Sequence, residues 1–317
     1  LSTWPDASTS TAPTGTSPAA AAARASASAI CMKANMGLNQ LMNKKPQTKV
    51  KTSQTAPANP AMAVLPAPTG QPDEKGERIA KFLARAGICS RRDAEKLILA
   101  GLVSVDGVVL TSPALNVTST QRITVKGKPV AGKDTTRLWR YHKPAGLVTT
   151  ARDPQGRPTV FDNLPPGMPR VISIGRLDLT TEGLLLLTND GALARHLELP
   201  KHAWVRHYRV RVHGRVDEKK LAALGSGLTL SGIHYGPVKA ELERTQGSNA
   251  WLKITIKEGK NREVRKIMEH LGLQVTRLIR VAFGPFQLAK LPLGEAEEVP
   301  QRILKDQLAD FYESPSR

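Results

Sequence analysis

The sequence predicts an α+β chain: a small module of two helices and a hairpin sheet, then a larger domain with a mainly antiparallel sheet flanked by helices. Three observations carry this reading. Composition changes abruptly near residue 75, an Asp106-Gly107 pair sits between two valine-rich segments, and from Leu138 onward short strand-like runs alternate with a few amphipathic helical ones.

Residues 1–75 are rich in Ala, Thr, Ser and Pro, with five alanines at Ala19–Ala23. Such a stretch buries too little apolar area to offset chain entropy and reads as a disordered low-complexity tail. It fits an upstream translation with internal starts at Met32, Met36 or Met42, a basic RNA-binding arm, or a transit peptide. Order is expected from Glu77. Ile79, Phe82, Leu83 and Ala86 recur at helical spacing before Gly87, and a second helix runs from Ser90, with Asp93 as its capping partner, to Gly101. Val103–Val105 and Val108–Leu110 then form a hairpin, completed by Arg122–Val125. These elements place a first folded domain at 76–135.

A second domain, 136–313, holds strand candidates at Leu138–His142, Leu147–Thr150, Leu184–Thr188, Trp204–His213, Pro237–Thr245, Trp251–Lys257 and Gln274–Phe283. Helices fit Gly191–Glu198, Asp217–Leu224, Asn261–Leu271 and Pro300–Tyr312. In Trp204–His213, alternation puts Trp204, Tyr208, Val210 and Val212 on one face and His207, Arg209, Arg211 and His213 on the other. Val264, Ile267, Met268 and Leu271 form an apolar helical stripe that leaves Arg262, Arg265 and Glu269 on another face.

The 317 residues carry 46 Lys and Arg against 27 Asp and Glu, a net charge of +19. Residues 76–317 hold 39 basic and 24 acidic residues of these, so +15 lies outside the tail. A chain this basic suits a polyanionic partner. Arg78, Lys81, Arg85, Arg91, Arg92 and Lys96 crowd the first helix pair, a spacing suited to phosphates or to an ordinary solvated surface. No apolar run approaches the roughly 18 residues that span a bilayer. Two distant cysteines, Cys31 and Cys89, make no zinc motif, and no phosphate-binding or dinucleotide glycine loop occurs. A reducing compartment and a metal-free site follow as expectations.

In Gly175-Arg-Leu-Asp-Leu-Thr-Thr-Glu-Gly-Leu-Leu-Leu-Leu-Thr-Asn-Asp-Gly191, a polar loop with Arg176, Asp178 and Glu182 runs into an all-leucine strand. A rigid element can present an acid there, although a salt-bridged loop aspartate is the commoner explanation.

Two resemblances sharpen this. Glu77-Arg-Ile-Ala-Lys-Phe-Leu-Ala-Arg-Ala-Gly-Ile-Cys-Ser-Arg-Arg-Asp-Ala-Glu-Lys-Leu-Ile98 with Gly101-Leu-Val-Ser-Val-Asp-Gly107 resembles the S4 RNA-binding domain. The Gly175–Gly191 segment resembles the catalytic motif of the ribosomal pseudouridine synthases of type A, which serve the small ribosomal particle, and types B, E and F, which serve the large one. Agreement extends to Lys143-Pro-Ala-Gly-Leu-Val-Thr149, Lys257-Glu-Gly-Lys-Asn-Arg-Glu-Val-Arg-Lys266 and Val275-Thr-Arg-Leu-Ile-Arg-Val-Ala-Phe-Gly284.

The resemblance implies an RNA isomerase that needs no cofactor. Asp178 is then the catalytic aspartate, Tyr208 the tyrosine stacked on the target base, and Arg265 the basic residue paired with Asp178. Leu278 matches the active-site leucine, and Arg176 would hold phosphate, brace the loop, or do both. Read alone, Tyr208 and Leu278 are core residues. Arg91 and Arg92 would bind RNA from the S4-like module. Gly259–Arg265 resembles type B, whereas type A carries a His-Gln pair where Arg262-Glu263 stands. A uridine of 23S ribosomal RNA is therefore the expected substrate, met by a cytoplasmic monomer without membrane contact. The alternatives are a 16S-directed synthase and an inactive S4-type RNA-binding or assembly factor.

Overall fold

The computed structural model describes residues 76–132 and 134–313, so the expected tail, residues 1–75, lies outside the described residues. The chain enters through β1 (Glu77–Arg78), α1 (Ile79–Arg85) and α2 (Arg91–Leu99). The Ser90 hydroxyl accepts the Asp93 amide at 3.1 Å and caps α2. β2 (Val103–Val105) and β3 (Val108–Val109) form the hairpin, with Asp106 and Gly107 at φ 51° and 85°, the left-handed pair that a tight two-residue turn requires. β4 (Asn116–Val117) returns to β1, and β5 (Ile123–Val125) and β6 (Lys128–Pro129) complete a sheet of order β3-β2-β5-β6. Ile79, Leu83, Ala94 and Ile98 close its core against Val103, Val105 and Ile123.

The larger part runs β7 (Leu138–Lys143), β8 (Ile172–Ile174), β9 (Thr181–Thr188), α3 (Gly191–Glu198), β10 (Arg206–His213), α4 (Glu218–Ala223), β11 (Leu228–Leu230) and β12 (Ile233–Tyr235). It continues through β13 (Lys239–Gln246), β14 (Asn249–Ile256), α5 (Glu263–His270), β15 (Gln274–Phe283), β16 (Phe286–Gln287), β17 (Ala296–Glu298), α6 (Gln301–Gln307) and α7 (Ala309–Glu313). Its main sheet has the order β13-β14-β10-β15-β9-β7-β17, with β8 on β9 and β16 on β15. Among the described residues, every pair of strands in it is antiparallel except β9 with β15.

That parallel pair explains the glycine before the leucine run. Gly183 faces Arg280 in the register and has φ +104°, and a Cβ on it would meet the Arg280 carbonyl oxygen at 2.3 Å. The leucines are uninterrupted because β9 is covered on both faces. Leu184 and Leu186 pack with Leu193, Leu197 and Leu304, whereas Leu185 and Leu187 pack with Trp139, Tyr141 and Leu177.

Two expected elements differ. Leu147–Thr150 is a loop: Val148 meets Thr159 in one isolated bridge, its main chain bonding to Pro158 and Val160, and the Thr149 hydroxyl turns to the Leu177 carbonyl, so no ladder runs along the segment. Pro300–Tyr312 divides at Leu308 into α6 and α7, although Leu304, Leu308 and Phe311 keep one buried stripe.

Candidate active site

A cavity of ≈ 140 Å³ lies where the loop before β9 meets β10, β15 and the start of α5. Five of the seven residues expected at the site line it: Arg176, Asp178, Tyr208, Arg265 and Leu278. Arg91 and Arg92 stay exposed on α2, outside the cavity.

The loop carrying Asp178 is held chiefly by its main chain. Lys143, wholly buried, shares the three protons of Nζ among four carbonyls, those of Thr181 and Pro144 at 2.9 Å, Asp178 at 3.2 Å and Leu179 at 3.4 Å. The Gly146 amide donates to Leu179 at 2.8 Å, the Thr149 hydroxyl to the Leu177 carbonyl at 2.9 Å, and the Thr181 amide to the Asp178 carbonyl at 3.0 Å. The segment 143–149 is thus a cradle for 177–181, a role its sequence did not disclose. Burial pushes the Lys143 ammonium down to about 8, against the opposing pull of Asp178 and Glu182.

With its backbone clamped, the Asp178 side chain remains about one-third exposed. The carboxylate expected to pair with Arg265 is approached instead by Arg262, whose Nη1 lies 3.8 Å from Oδ2. Arg265 donates from Nη2 to the Thr180 carbonyl at 3.1 Å. Its guanidinium still feels Asp178, but burial and the neighbouring Arg262 hold it below its ordinary pKa. The physical reason is local backbone geometry: Arg262 precedes α5 at φ 52°, ψ 31°, which turns its side chain to the cavity one turn ahead of Arg265. Glu182 makes a bidentate ion pair with Arg277, at 3.0 and 2.8 Å. The commonplace salt-bridged role therefore falls to Glu182.

Tyr208 is nearly buried on β10, between Ile254 of β14 and Arg280 of β15. The predicted alternation holds within β10, where Val210 and Val212 are buried with Tyr208, His207, Arg211 and His213 are exposed and Arg209 is half-buried, but Trp204 lies before the strand and packs with another part of the core. Arg206 shares the face of Tyr208, a position its even spacing signalled. Its Nη1 donates to the carbonyls of Trp204 at 2.7 Å and Lys257 at 3.1 Å. Arg206 and Arg280 approach the Phe283 ring with centroid distances of 4.8 and 5.4 Å, and burial lowers the pKa of both. Arg280 donates from Nε to the Leu184 carbonyl at 2.8 Å. Leu278, buried beside Thr181, supplies an apolar wall.

In the sequence Glu263 serves only to distinguish one type from another and is not named as a site residue. It is 3% exposed and lines the cavity, and burial, aided by the Glu258 charge, pushes its carboxyl up to about 7. Among the described residues the cavity holds one accessible carboxylate beside an aromatic ring and an apolar wall, with Arg206, Arg265 and Arg280 as desolvated cations around it. Such a cavity suits a planar base still attached to an anionic backbone.

Residues 77–123 match the S4 domain, and residues 137–270 match the family described as RNA pseudouridylate synthase. An RNA pseudouridine synthase of Rickettsia felis is 49% identical over 229 residues, covering 72% of this chain and 99% of that protein. The ribosomal large subunit pseudouridine synthase B of Salmonella typhi is 44% identical over 225 residues, 69% of this chain and 77% of its own. A crystal structure of a pseudouridylate synthase covers 73% of this chain and 100% of its own at 28% identity, with a TM-score of 0.52. With the cradle, the clamped aspartate loop and the arginine-bearing turn all inside the matched range, the chain belongs to the RNA pseudouridylate synthase family, isomerases of RNA uridine, and carries an S4 domain ahead of the synthase domain.

Proposed function

We propose that this isomerase converts a uridine of 23S ribosomal RNA to pseudouridine, with Asp178 as the catalytic carboxylate. The observation that carries the reading is the Asp178 side chain, which is free to meet a ligand while three residues of the 143–149 segment bind its loop. The 23S substrate is supported by the names of relatives such as the Salmonella typhi enzyme. Residues 76–135 serve as the RNA-docking domain, with Arg91 and Arg92 on phosphates, and residues 136–313 as the catalytic domain. The protein works as a monomer in the cytoplasm, where the ribosome is assembled.

In the reaction the bond from C1′ to N1 breaks, the uracil turns, and C5 bonds to the same C1′. The C5 proton is released and N1 gains one, so the product is an isomer. Asp178 acts on the ribose, at C1′ or at the 2′ hydrogen. Tyr208 stacks on the base, Leu278 packs beside it, and Arg176 at the cavity rim holds backbone phosphate. A stacked base cannot reach Asp178, so the target nucleotide is flipped into the cavity.

Ribosomal RNA carrying tritium at C5 of uridine tests this, because the label is lost to water only when C5 forms the new bond. Release by the wild type, and none by Asp178→Asn, is the expected result. Mapping pseudouridine in a deletion strain then names the site. A missing site in 16S RNA would move the substrate to the small ribosomal particle, and no missing site would overturn the assignment.

A further inference from the structure

Glu263 opens α5 in the cavity wall, and two hydrogen bonds close the turn before it. Its amide donates to the Lys260 carbonyl at 3.2 Å, and its Oε2 accepts the Lys260 amide at 2.8 Å. Inside that ring Arg262 is held at φ 52°, a left-handed conformation that disfavours any residue but glycine, and from there it reaches Asp178. The turn therefore needs a restraint, and the Glu263 side chain provides it.

The other oxygen, Oε1, is buried without a hydrogen-bond donor from the surrounding protein. The Glu263 carboxyl lies within side-chain hydrogen-bonding reach of the Glu258 carboxyl, whose Oε1 accepts the Gly236 amide at 2.7 Å and whose Oε2 is ion-paired with Lys260 Nζ. The charged groups around Glu263 are Glu258, Lys260 and Arg262 from the preceding loop, Arg206 from β10, Arg280 from β15, Asp178 from the loop before β9, and Arg265 on its own helix. Glu258 has two donors and keeps its charge, so a proton between the two carboxyls resides on Glu263. Two ionised carboxylates in that wall would repel one another.

We propose that Glu263 is a positioning residue of the active site: a proton shared with Glu258 keeps the Lys260–Glu263 turn closed and so holds Arg262 against Asp178. The role in turnover rests on the proposed function, whereas the shared proton does not.

The sign of the pH effect follows from the folded carboxyl titrating at about 7 and the ordinary one at 4.5. Between these values the folded chain binds the extra proton, so this group's contribution to stability falls as pH rises from 4.5 to 7 and is level above that. Glu263→Gln resembles the protonated acid: it accepts from Lys260 and donates to Glu258 at every pH. The melting temperature of Glu263→Gln minus that of wild type should therefore widen by about 5 °C between pH 4.5 and 7.5 and then stay constant. In tritium release, wild-type kcat should fall as pH rises through 7 with KM little changed, and Glu263→Gln should lack that limb. An infrared band of a protonated carboxyl in the wild type, lost through pH 7, checks the proton without any variant.

A constant melting difference, or the same falling limb in Glu263→Gln, would overturn the proposal. A wild type inert on ribosomal RNA at every pH would overturn the substrate reading instead. The melting series would then decide the shared proton by itself, for or against.

Discussion

Lys143 donates its ammonium to the main-chain carbonyl of Asp178 across 35 positions of sequence, at 3.2 Å. One buried cation thereby sets the backbone from which the carboxylate projects, while the carboxylate itself remains open to a ligand. Replacing Lys143 by Met removes every donor to the Asp178, Leu179 and Thr181 carbonyls that this side chain supplies. Loss of these charge-assisted bonds should cost about 3 kcal/mol of stability, and kcat should fall by about 10²-fold or more even where the variant stays folded. Denaturant melts and single-turnover tritium release measure the two effects.

Asp178→Asn keeps the shape of the loop, because the clamp binds backbone and not the side chain. Pseudouridine formation should drop by about 10³-fold or more, while the melting temperature and the affinity for unmodified ribosomal RNA stay near wild type. An Asp178→Asn enzyme that still releases tritium would remove Asp178 from the chemistry.

The two arginines near Asp178 should separate in mutagenesis. Arg262 is half exposed and 3.8 Å from the carboxylate, so solvent and salt screen the pair. Arg262→Met is expected to lower kcat/KM by about 10-fold or less, with the deficit shrinking at high salt. Arg265→Met leaves the Thr180 carbonyl without its donor and should cost more, about 10²-fold, with little salt dependence.

Gly183→Ala should be among the most disruptive small substitutions in the chain. Its methyl group would lie 2.3 Å from the Arg280 carbonyl oxygen and 2.7 Å from its nitrogen, at a φ that L residues avoid. Separation of β9 from β15 should cost about 3 kcal/mol or more, read as a lower denaturant midpoint with an unchanged slope.

Neutralising Arg91 and Arg92 tests the docking role of the S4 domain. If each meets a phosphate, the double Gln variant should bind ribosomal RNA more weakly. The slope of log affinity against log salt should shallow by roughly 0.7 to 0.9 per lost contact. An unchanged slope would place the RNA elsewhere on the protein.

Much of the architecture was legible because its signals are local. The Asp106-Gly107 turn, the Ser90 cap, the stripe from Val264 to Met268 and the alternation around Tyr208 each follow from neighbours a few residues apart, and all four are found in the structure. Leu147–Thr150 misled for the same reason. Its β-like residues are divided between two partners, the Val148 main chain going to Pro158 and Val160 and the Thr149 hydroxyl to Leu177, and no local pattern records either. Strands β8, β11 and β12 have three residues each, too few for alternation to register.

By itself the sequence determined the type of fold, a basic balance that suits a polyanion, and, through its family resemblance, the positions of Asp178, Tyr208, Arg265 and Leu278 in their motifs. Only the tertiary structure decided what each of those residues touches. Arg262 meets Asp178 and Arg265 meets Thr180 because a single left-handed residue rotates one side chain to the cavity ahead of the other, and periodicity alone treats the two arginines alike. The role of Glu263 was likewise hidden: a carboxyl becomes a proton holder when burial and a neighbouring carboxylate act together, and both are properties of the packed wall, not of the residue.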